Sequence, residues 1–558
     1  MAQPNWQEFD SAVFEQATAQ RKLVVLLITA PWCSHCKDLL QTAFTDSTVL
    51  EKLERDFIAI QADAERRPDV NDRYGTGGWP TIAYLTPEGD LIGQDRYLNA
   101  EQLATQLDKV VEIYKENGDE IHAKLQELWE RENASAKTAE PLFQLDQQIV
   151  EDVVNAIYDK FDHRYGGWGD KSKFPHPEAI DFALVMVAKR QDQRMKEVVT
   201  LTLDKMMEGA IHDTVDGGFF RFSRTPDWRH PNFEKVLDAN AQRLRCYLEA
   251  YQLFGTGGYR KTAEGIVKWI LEFMVDPENE AFCGSQDADA DYYVLNAEGR
   301  KKRGRPKIDQ TIYTNWNAMT ISSLLKASVV LERPDLRDRA TRSLNFLLEN
   351  LYDGAGTVYH YWDGTYHLPG LLTDQAYMIR ALIDASQHTG NADLLLPAEA
   401  IAEKATERQR APDGGYYDVR QEATTPGSMR RRNRSILENA VMAEALVRLS
   451  YLSRRPEFYD EATRTLEAFA NGYKEYGYYV AGYARAIDLV FYPPLTVTIV
   501  ADRETEQADA LRRAALRTYM PSRLVQLLDP KYDPILLERG GFETSGPAKA
   551  YVSVGKTT

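Results

Sequence analysis

The chain of 558 residues carries 67 Lys+Arg against 84 Asp+Glu, a net charge of -17, with 43% hydrophobic residues, a mean hydropathy of -0.47 and 4 cysteines. Such an acid excess argues against a surface that coats nucleic acid or an anionic membrane, four cysteines cannot build a disulfide framework, and no run approaches the 18 apolar residues of a membrane span. Residues 1–10 show neither the basic flank nor the apolar run of a signal peptide, so the expected setting is a reducing cytoplasm.

Leu23-Val24-Val25-Leu26-Leu27-Ile28 is a continuous apolar run, the pattern of a strand covered on both faces. Trp32-Cys33-Ser34-His35-Cys36 follows, and residues 37–44 have helical spacing. Strand, turn and helix put Cys33 at a helix N-terminus, where unpaired N–H groups and the helix dipole favour a thiolate. Cys36, one turn on, is spaced to resolve a mixed disulfide, and His35 between them is placed to take its proton and to stabilise the Cys33 thiolate. Further strands are expected at Phe57–Ile60 and, after Gly77-Gly78-Trp79-Pro80-Thr81, at Ile82–Leu85, which makes an α/β layered unit. Two other readings stay open for the pair: a metal site using Cys33, His35 and Cys36, for which no second cluster supplies the missing ligands, and a redox-silent docking scaffold. Residues 1–118 hold 11 Lys+Arg against 19 Asp+Glu, which suits either a basic partner or a solvated surface.

Beyond residue 118 the sequence turns to a polar helix and then to Arg131–Lys137, read as a linker. From about residue 142 apolar stripes of helical period recur about a dozen times; Leu237, Ala241, Leu244, Leu248 and Tyr251 mark one of them. Between them a glycine-aromatic signature returns: Gly166-Gly167-Trp168, Gly217-Gly218-Phe219, Phe282-Cys283-Gly284, residues 356–361, Gly414-Gly415-Tyr416 and Gly477-Tyr478-Tyr479. Six helical hairpins, each with such a loop, predict a closed all-α (α/α)6 toroid. Loops gathered at one mouth suit a sugar ring, although they serve equally as well-packed turns. Residues 495–500, a helix near 504–517 and residues 524–528 read as a small β-α-β cap. The expected boundaries are 1–118 for the α/β unit, 119–141 for a helical linker, 142–490 for the toroid and 491–558 for the α/β cap.

The Trp-Cys-x-x-Cys motif with Trp79-Pro80-Thr81 ahead of a strand resembles thioredoxin, and that resemblance implies a cis proline at Pro80 beside the Trp32-Cys33-x-x-Cys36 turn. Leu27 departs from it, standing where thioredoxins carry a buried aspartate that accepts the proton of the resolving cysteine. Ala64-Glu65-Arg66-Arg67-Pro68-Asp69-Val70 with Tyr74, then Lys173-Phe174-Pro175, Phe233-Glu234-Lys235, Asn240-Ala241-Gln242, Ser285-Gln286-Asp287-Ala288-Asp289 and Trp316-Asn317 resemble the spermatogenesis-associated thioredoxin-domain proteins. That family joins a thioredoxin-like domain to a barrel similar to N-acylglucosamine 2-epimerase. The resemblance implies a pocket at the barrel mouth with Glu234, Asp287, Asp289 and Asp374 as carboxylates, and Trp228, Trp316 and Asn317 for shape and hydrogen bonding. His230, His360 and His367 are the loop histidines in the place of acid-base groups. The family pattern has histidines at the positions of Phe220 and Asn232 and an aspartate at Ala239, and Asp289 in a polar loop also reads as a capping residue.

Residues 299–307 contain Arg303-Gly304-Arg305-Pro306, which resembles an AT-hook, yet a single copy in so acidic a chain reads rather as a solvated or anion-binding loop. Arg430-Arg431-Arg432-Asn433-Arg434 is a second basic run, and both together at one mouth would favour an anionic ligand. The expected function is a thiol-disulfide oxidoreductase in which Cys33 attacks and Cys36 resolves, with a protein disulfide or a thioredoxin-type reductant as partner. Its barrel is expected to bind a carbohydrate-like or protein ligand, with no metal and no cofactor. A sugar isomerase or epimerase with an accessory thioredoxin domain, and a non-catalytic interaction protein, are the alternatives.

Overall fold

The computed structural model describes residues 2–137, 142–420 and 425–555. Two compact units emerge, one made of Met1–Glu140 with Asp418–Asn433, the other of Pro141–Tyr417 with Arg434–Thr558. In the first, α1 (Ser11–Gln20), β1 (Leu23–Thr29), α2 (Ser34–Gln41), α3 (Ser47–Asp56), β2 (Phe57–Asp63), α4 (Pro68–Tyr74), β3 (Thr81–Leu85), β4 (Leu91–Asp95) and α5 (Ala100–Lys137) follow in order. The sheet runs β2-β1-β3-β4, with β1 parallel to β2 and antiparallel to β3, a thioredoxin-like arrangement. Every residue of β1 is buried, because each face has its own cover. Val24, Leu26 and Ile28 pack with Val13, Phe14, Val70 and Tyr74, whereas Leu23, Val25 and Leu27 pack with Leu39, Val49, Leu53 and Leu103. Alternate side chains of a strand serve opposite layers, which is why this run shows no polar alternation.

The helix α5 is continuous across residue 118, so the composition change there marks no break in the backbone; residues 131–137 continue the helix, and 138–141 lie outside the described residues. The segment 418–433 completes the unit. Arg73 Nη1 pairs with Asp418 at 2.9 Å, Arg430 Nη2 pairs with Asp90 at 3.1 Å, and the Arg430 guanidinium lies 4.7 Å from the centre of the Trp129 ring. Gly427 (φ +43°) passes so close to Gly89 that a Cβ there would lie 1.9 Å from the Gly89 carbonyl carbon.

In the second unit twelve helices among the described residues alternate between an outer and an inner layer. The outer ones are α6 (Gln148–Asp159), α8 (Gln193–Glu208), α10 (Gly257–Trp269), α14 (Pro334–Asn350), α16 (Leu395–Gln409) and α18 (Pro456–Glu467). The inner ones are α7 (Pro177–Arg190), α9 (Leu237–Phe254), α13 (Thr314–Val330), α15 (Leu372–Thr389), α17 (Ile436–Ser453) and α19 (Ala481–Phe491); the short α11 (Ala290–Tyr293) and α12 (Ala297–Arg303) lie in the loop before α13. Each inner helix packs on the next and α19 returns to α7, closing the toroid. All six glycine-aromatic loops lead from an outer helix to an inner one, so they share the end at which the inner helices start.

A repeated set of polar contacts holds those loops. Asp162, Asp213, Asp276 and Asp353 each accept backbone N–H bonds that turn the chain. Lys173 donates to Asp162 and to Gly166 O, Lys235 to Asp213 (2.6 Å) and to Gly217 O (2.8 Å), and Arg434 to Asp413 (2.7 Å) and to Gly414 O (3.0 Å). The fourth residue of three inner helices is an asparagine that clasps the aromatic of its loop. Asn240 accepts from Phe219 N (2.7 Å), Asn317 from Phe282 N (2.8 Å) and Asn439 from Tyr416 N (2.7 Å), and each donates back to the same residue's carbonyl. Gly217 (φ +87°) must be glycine, since a Cβ there would lie 2.0 Å from Gly265 O.

The C-terminal segment contains more than the expected β-α-β. Leu495–Val500 pairs in parallel with Arg523–Leu528 across the helix Glu506–Arg517, and a third strand, Lys549–Val554, joins antiparallel to the first. It sits at the far ends of the inner helices: Val525 N donates to Gln387 Oε1 (2.9 Å), Gln526 Nε2 to Leu452 O (2.8 Å) and Gln252 Nε2 to Arg517 O (2.7 Å). Among the described residues no helix is long and apolar enough to cross a membrane.

Asn317→Ala strips Phe282 of both clasp bonds and leaves buried backbone groups without partners, which costs about 1–3 kcal/mol per unsatisfied group. Chemical denaturation of the full chain is expected to show the toroid transition at lower denaturant, with the slope unchanged.

Candidate functional site

The apolar strand β1 delivers the chain to Trp32 and Cys33, and Cys33 caps α2, its Sγ accepting from Cys36 N at 3.1 Å. Cys33 and Cys36 are joined as a disulfide, both nearly buried. The peptide between Trp79 and Pro80 is cis, and Trp79 meets Trp32 edge to face at 5.2 Å, so the loop before β3 lies against the cysteine turn. Trp32 Nε1 donates to Glu65 Oε1 (3.3 Å) on the loop after β2. His35 is exposed, its ring 6.4 Å from that of Tyr97, whose hydroxyl donates to Asp38. Leu27 is fully buried and pairs with Gln61 and Ile82. The arrangement offers one sulfur at a helix start, a second one turn deeper, and a cis-proline loop alongside: the parts needed for thiol-disulfide exchange.

The ten residues expected around the barrel mouth do not gather in one place, although His360 and Asp374 meet. Trp228 is buried beneath Gly167, donating to Tyr165 O at 2.8 Å, while His230 is exposed. Glu234 is buried against Arg221 (3.4 Å) and Asn232 (2.9 Å). Asp287 is half-buried, and Asp289 caps α11 through Tyr292 N (3.0 Å) and meets Arg303. Trp316 rests on Tyr313 at 4.6 Å between ring centres, and Asn317 is the clasp described above. His360 Nδ1 lies 2.8 Å from Asp374 Oδ2, and Asp374 also accepts from Asn315 N (3.1 Å); burial pushes this carboxyl up while His360 pulls it down. His367 pairs with Asp363 (2.9 Å) on the surface. The basic runs are also absorbed: Arg300 in the last turn of α12 is buried on Asp213 (2.7 Å) and Asp216 (2.8 Å), Arg305 just after α12 donates to Glu272 O (2.9 Å) and lies 4.4 Å from the Phe273 ring centre, and Arg430 and Arg434 belong to different units.

What the sequence reading passed over is the axis of the toroid. Each inner helix turns a narrow polar stripe inward: Gln242, Arg245, Glu249 and Gln252 on α9, Ser322 and Lys326 on α13, Tyr377, Arg380, Asp384 and Gln387 on α15. Glu444 and Arg448 on α17, Asp181 on α7, and Arg485 and Asp488 on α19 complete two charged levels. In the upper level Arg245 faces Asp181 (3.7 Å), and Arg485 pairs with Asp181 and faces Glu444 (3.6 Å). In the lower level Glu249 takes Arg245 (3.1 Å) and Lys326 (2.5 Å), Arg448 pairs with Asp384, and Lys189 reaches Asp488 (2.5 Å). Burial pushes Lys326 down to about 8 in spite of Glu249. The cap closes this end with Tyr519, whose hydroxyl lies 3.5 Å from Glu249. The other end is a well open toward the glycine-aromatic loops. None of the ten expected pocket residues is among the side chains that line it.

Comparison with known proteins finds resemblances over parts of the chain and over most of it. Residues 2–133 match the family Thioredox_DsbH, described as a protein of unknown function, DUF255. Spermatogenesis-associated protein 20 of Homo sapiens is 22% identical across 94% of this chain and 83% of its own length. Protein disulfide-isomerase A4 of Rattus norvegicus is 37% identical over 82 residues, 15% of this chain and 12% of that protein. Among solved structures, cellobiose 2-epimerase from Spirochaeta thermophila, at 12% identity, covers 62% of this chain and 98% of its own with a TM-score of 0.49. The chain thus resembles spermatogenesis-associated protein 20 along nearly its whole length.

Cys246 and Cys283 are buried, and burial pushes both thiols up, that of Cys283 to about 12. After reduction at about pH 7.5, roughly one unit below the free thiol value, iodoacetamide is expected to modify Cys33 first and to reach Cys246 and Cys283 far more slowly. Peptide mass spectrometry over a time course checks the order.

Proposed function

We propose that this protein is a thiol-disulfide oxidoreductase working through Cys33 and Cys36. The observation that carries the reading is Cys33 at the start of α2, disulfide-bonded to Cys36 and flanked by the cis Trp79–Pro80 peptide. In the reducing direction the Cys33 thiolate attacks one sulfur of a substrate disulfide, forms a mixed disulfide and releases the other substrate sulfur as a thiolate. The Cys36 thiolate then attacks Cys33 Sγ, the second substrate sulfur leaves, and the Cys33–Cys36 disulfide remains with two electrons passed to the substrate. An external dithiol, protein-borne or small, returns the pair to the reduced form. The N–H groups at the start of α2 favour the attacking thiolate, and Gly77, Gly78 and Trp79 ahead of the cis proline provide the surface on which an extended substrate segment rests. Leu27 offers no carboxylate to take the proton of Cys36, so that proton passes to solvent or to the imidazole of His35, the exposed base between the two sulfurs.

The sugar-epimerase reading needs acid-base groups facing each other across a bound ring. His230 and His367 are on the surface and His360 is held by Asp374, so the geometry favours the dithiol chemistry as the primary activity. The buried, unlinked Cys246 and Cys283 suit a reducing compartment such as the cytoplasm.

Insulin reduction driven by dithiothreitol tests the assignment. The native chain is expected to accelerate precipitation of the B chain, Cys33→Ser to fall to the uncatalysed background, and Cys36→Ser to accumulate a mixed disulfide visible on a non-reducing gel. Equal rates for the native chain and Cys33→Ser would overturn the redox assignment.

A further inference from the structure

The well above the upper charged level is walled by all six inner helices and encloses about 80 Å³ below its open mouth. Its polar groups stand apart from those below them. Arg245 and Arg485 are both tied to Asp181, whereas Arg380 has a single ionic neighbour, Glu444 at 4.0 Å, and among the described residues donates no hydrogen bond. Ser322, 8% exposed, has a hydroxyl with no partner. Gln242, Tyr377 and the carboxyl of Glu178 also face the well without hydrogen bonds to other residues among those described. A guanidinium that donates no hydrogen bond, two hydroxyls, an amide and a carboxyl are directed at one space, and the Ser322 hydroxyl among them is buried, a setting in which polar groups are nearly always paired.

We propose that this well is a binding site for a compact hydroxylated carboxylate, a sugar acid or a similar hydroxy acid, with Arg380 receiving the carboxylate. A guanidinium with free donors matches a carboxylate in a planar two-bond contact. Gln242, Ser322 and Tyr377 supply the mixed donors and acceptors that hydroxyl groups require, and Met319 and Val441 give the wall an apolar patch for a carbon skeleton. The single positive charge without a close partner suits a monoanion; Glu178 and Glu444 on the same walls disfavour a phosphate dianion. Burial, and then the neighbouring Arg245, pull the Arg380 guanidinium below its ordinary value, the direction in which a bound anion brings relief. The carboxyl of Glu178 is exposed to the lumen. This site is independent of the cysteine pair.

Calorimetric titration of the full chain with D-glucuronate, D-galacturonate, D-gluconate and L-tartrate tests the proposal, with D-glucose, D-galactose and inorganic phosphate alongside. At least one acid is expected to bind once per chain, about tenfold or more tighter than the neutral sugars and phosphate. Arg380→Gln is expected to weaken that binding by about tenfold or more, Ser322→Met to abolish it by filling the well, and Lys301→Ala, on the exposed face of α12, to leave it unchanged. Should Arg380→Gln fail to fold, judged by circular dichroism, Tyr377→Phe replaces it and is expected to cost about threefold or more. The proposal is overturned if none of the acids binds, if phosphate or a neutral sugar binds as tightly, or if binding is indifferent to these substitutions.

Discussion

Six inner helices closed into a ring leave an axis that every one of them must face, and the charge ladder on that axis is the constraint the toroid is built around. An axis filled by apolar side chains would make each helix apolar on all sides. Here five basic groups, Arg245, Arg380, Arg485, Lys326 and Arg448, face five carboxylates, Asp181, Glu444, Glu249, Asp384 and Asp488. Charges taken out of water are costly unless paired, and replacing one member strands its partner. The ladder therefore ties together helices that lie far apart in sequence: Asp181 on α7 pairs with Arg485 on α19, 304 positions later, and that contact bridges the seam where the ring closes.

The mouth of the barrel follows a second rule, repeated around the ring. An aspartate turns the chain, a lysine or arginine holds that aspartate and a glycine carbonyl, and an asparagine at the fourth position of the inner helix clasps the aromatic. Lys173, Lys235, Asn240 and Asn317, each part of a motif by which the chain resembles its relatives, serve this scaffold. Motifs that look like a catalytic inventory are in large part the fastening of one loop repeated, and for Asn317 this replaces the ligand-binding role expected of it.

The α/β unit and the twelve-helix ring were legible because each leaves a strong pattern: a run apolar at every position for β1, and stripes of period 3.6 with glycine punctuation for the hairpins. The cysteine turn was legible down to the residue, since spacing alone sets Cys33 and Cys36 one turn apart. The axial well was not. On α9 the apolar stripe Leu237, Ala241, Leu244, Leu248 marks the packed face, while Gln242, Arg245, Glu249 and Gln252, stepping by three and four on another face, carry the pattern of a solvated surface. A charged stripe on a helix ordinarily marks the solvent side, and only ring closure turns that side into an interior. The continuity of α5 past residue 118 was equally hidden, because a polar sequence is compatible with both a solvated helix and a linker.

The α/β unit is discontinuous in the chain, its last piece being Asp418–Asn433. On the ribosome, synthesis therefore reaches Asn433 before that unit has all its parts, and by then four inner helices, α7, α9, α13 and α15, and five outer ones, α6 through α16, have been made. The buried carboxylate Asp90 and the buried guanidinium of Arg73 wait through that interval without Arg430 and Asp418. The N-terminal unit, first to emerge, thus has all its parts only after most of the toroid helices have been made, and its maturation is bound in time to the progress of the toroid.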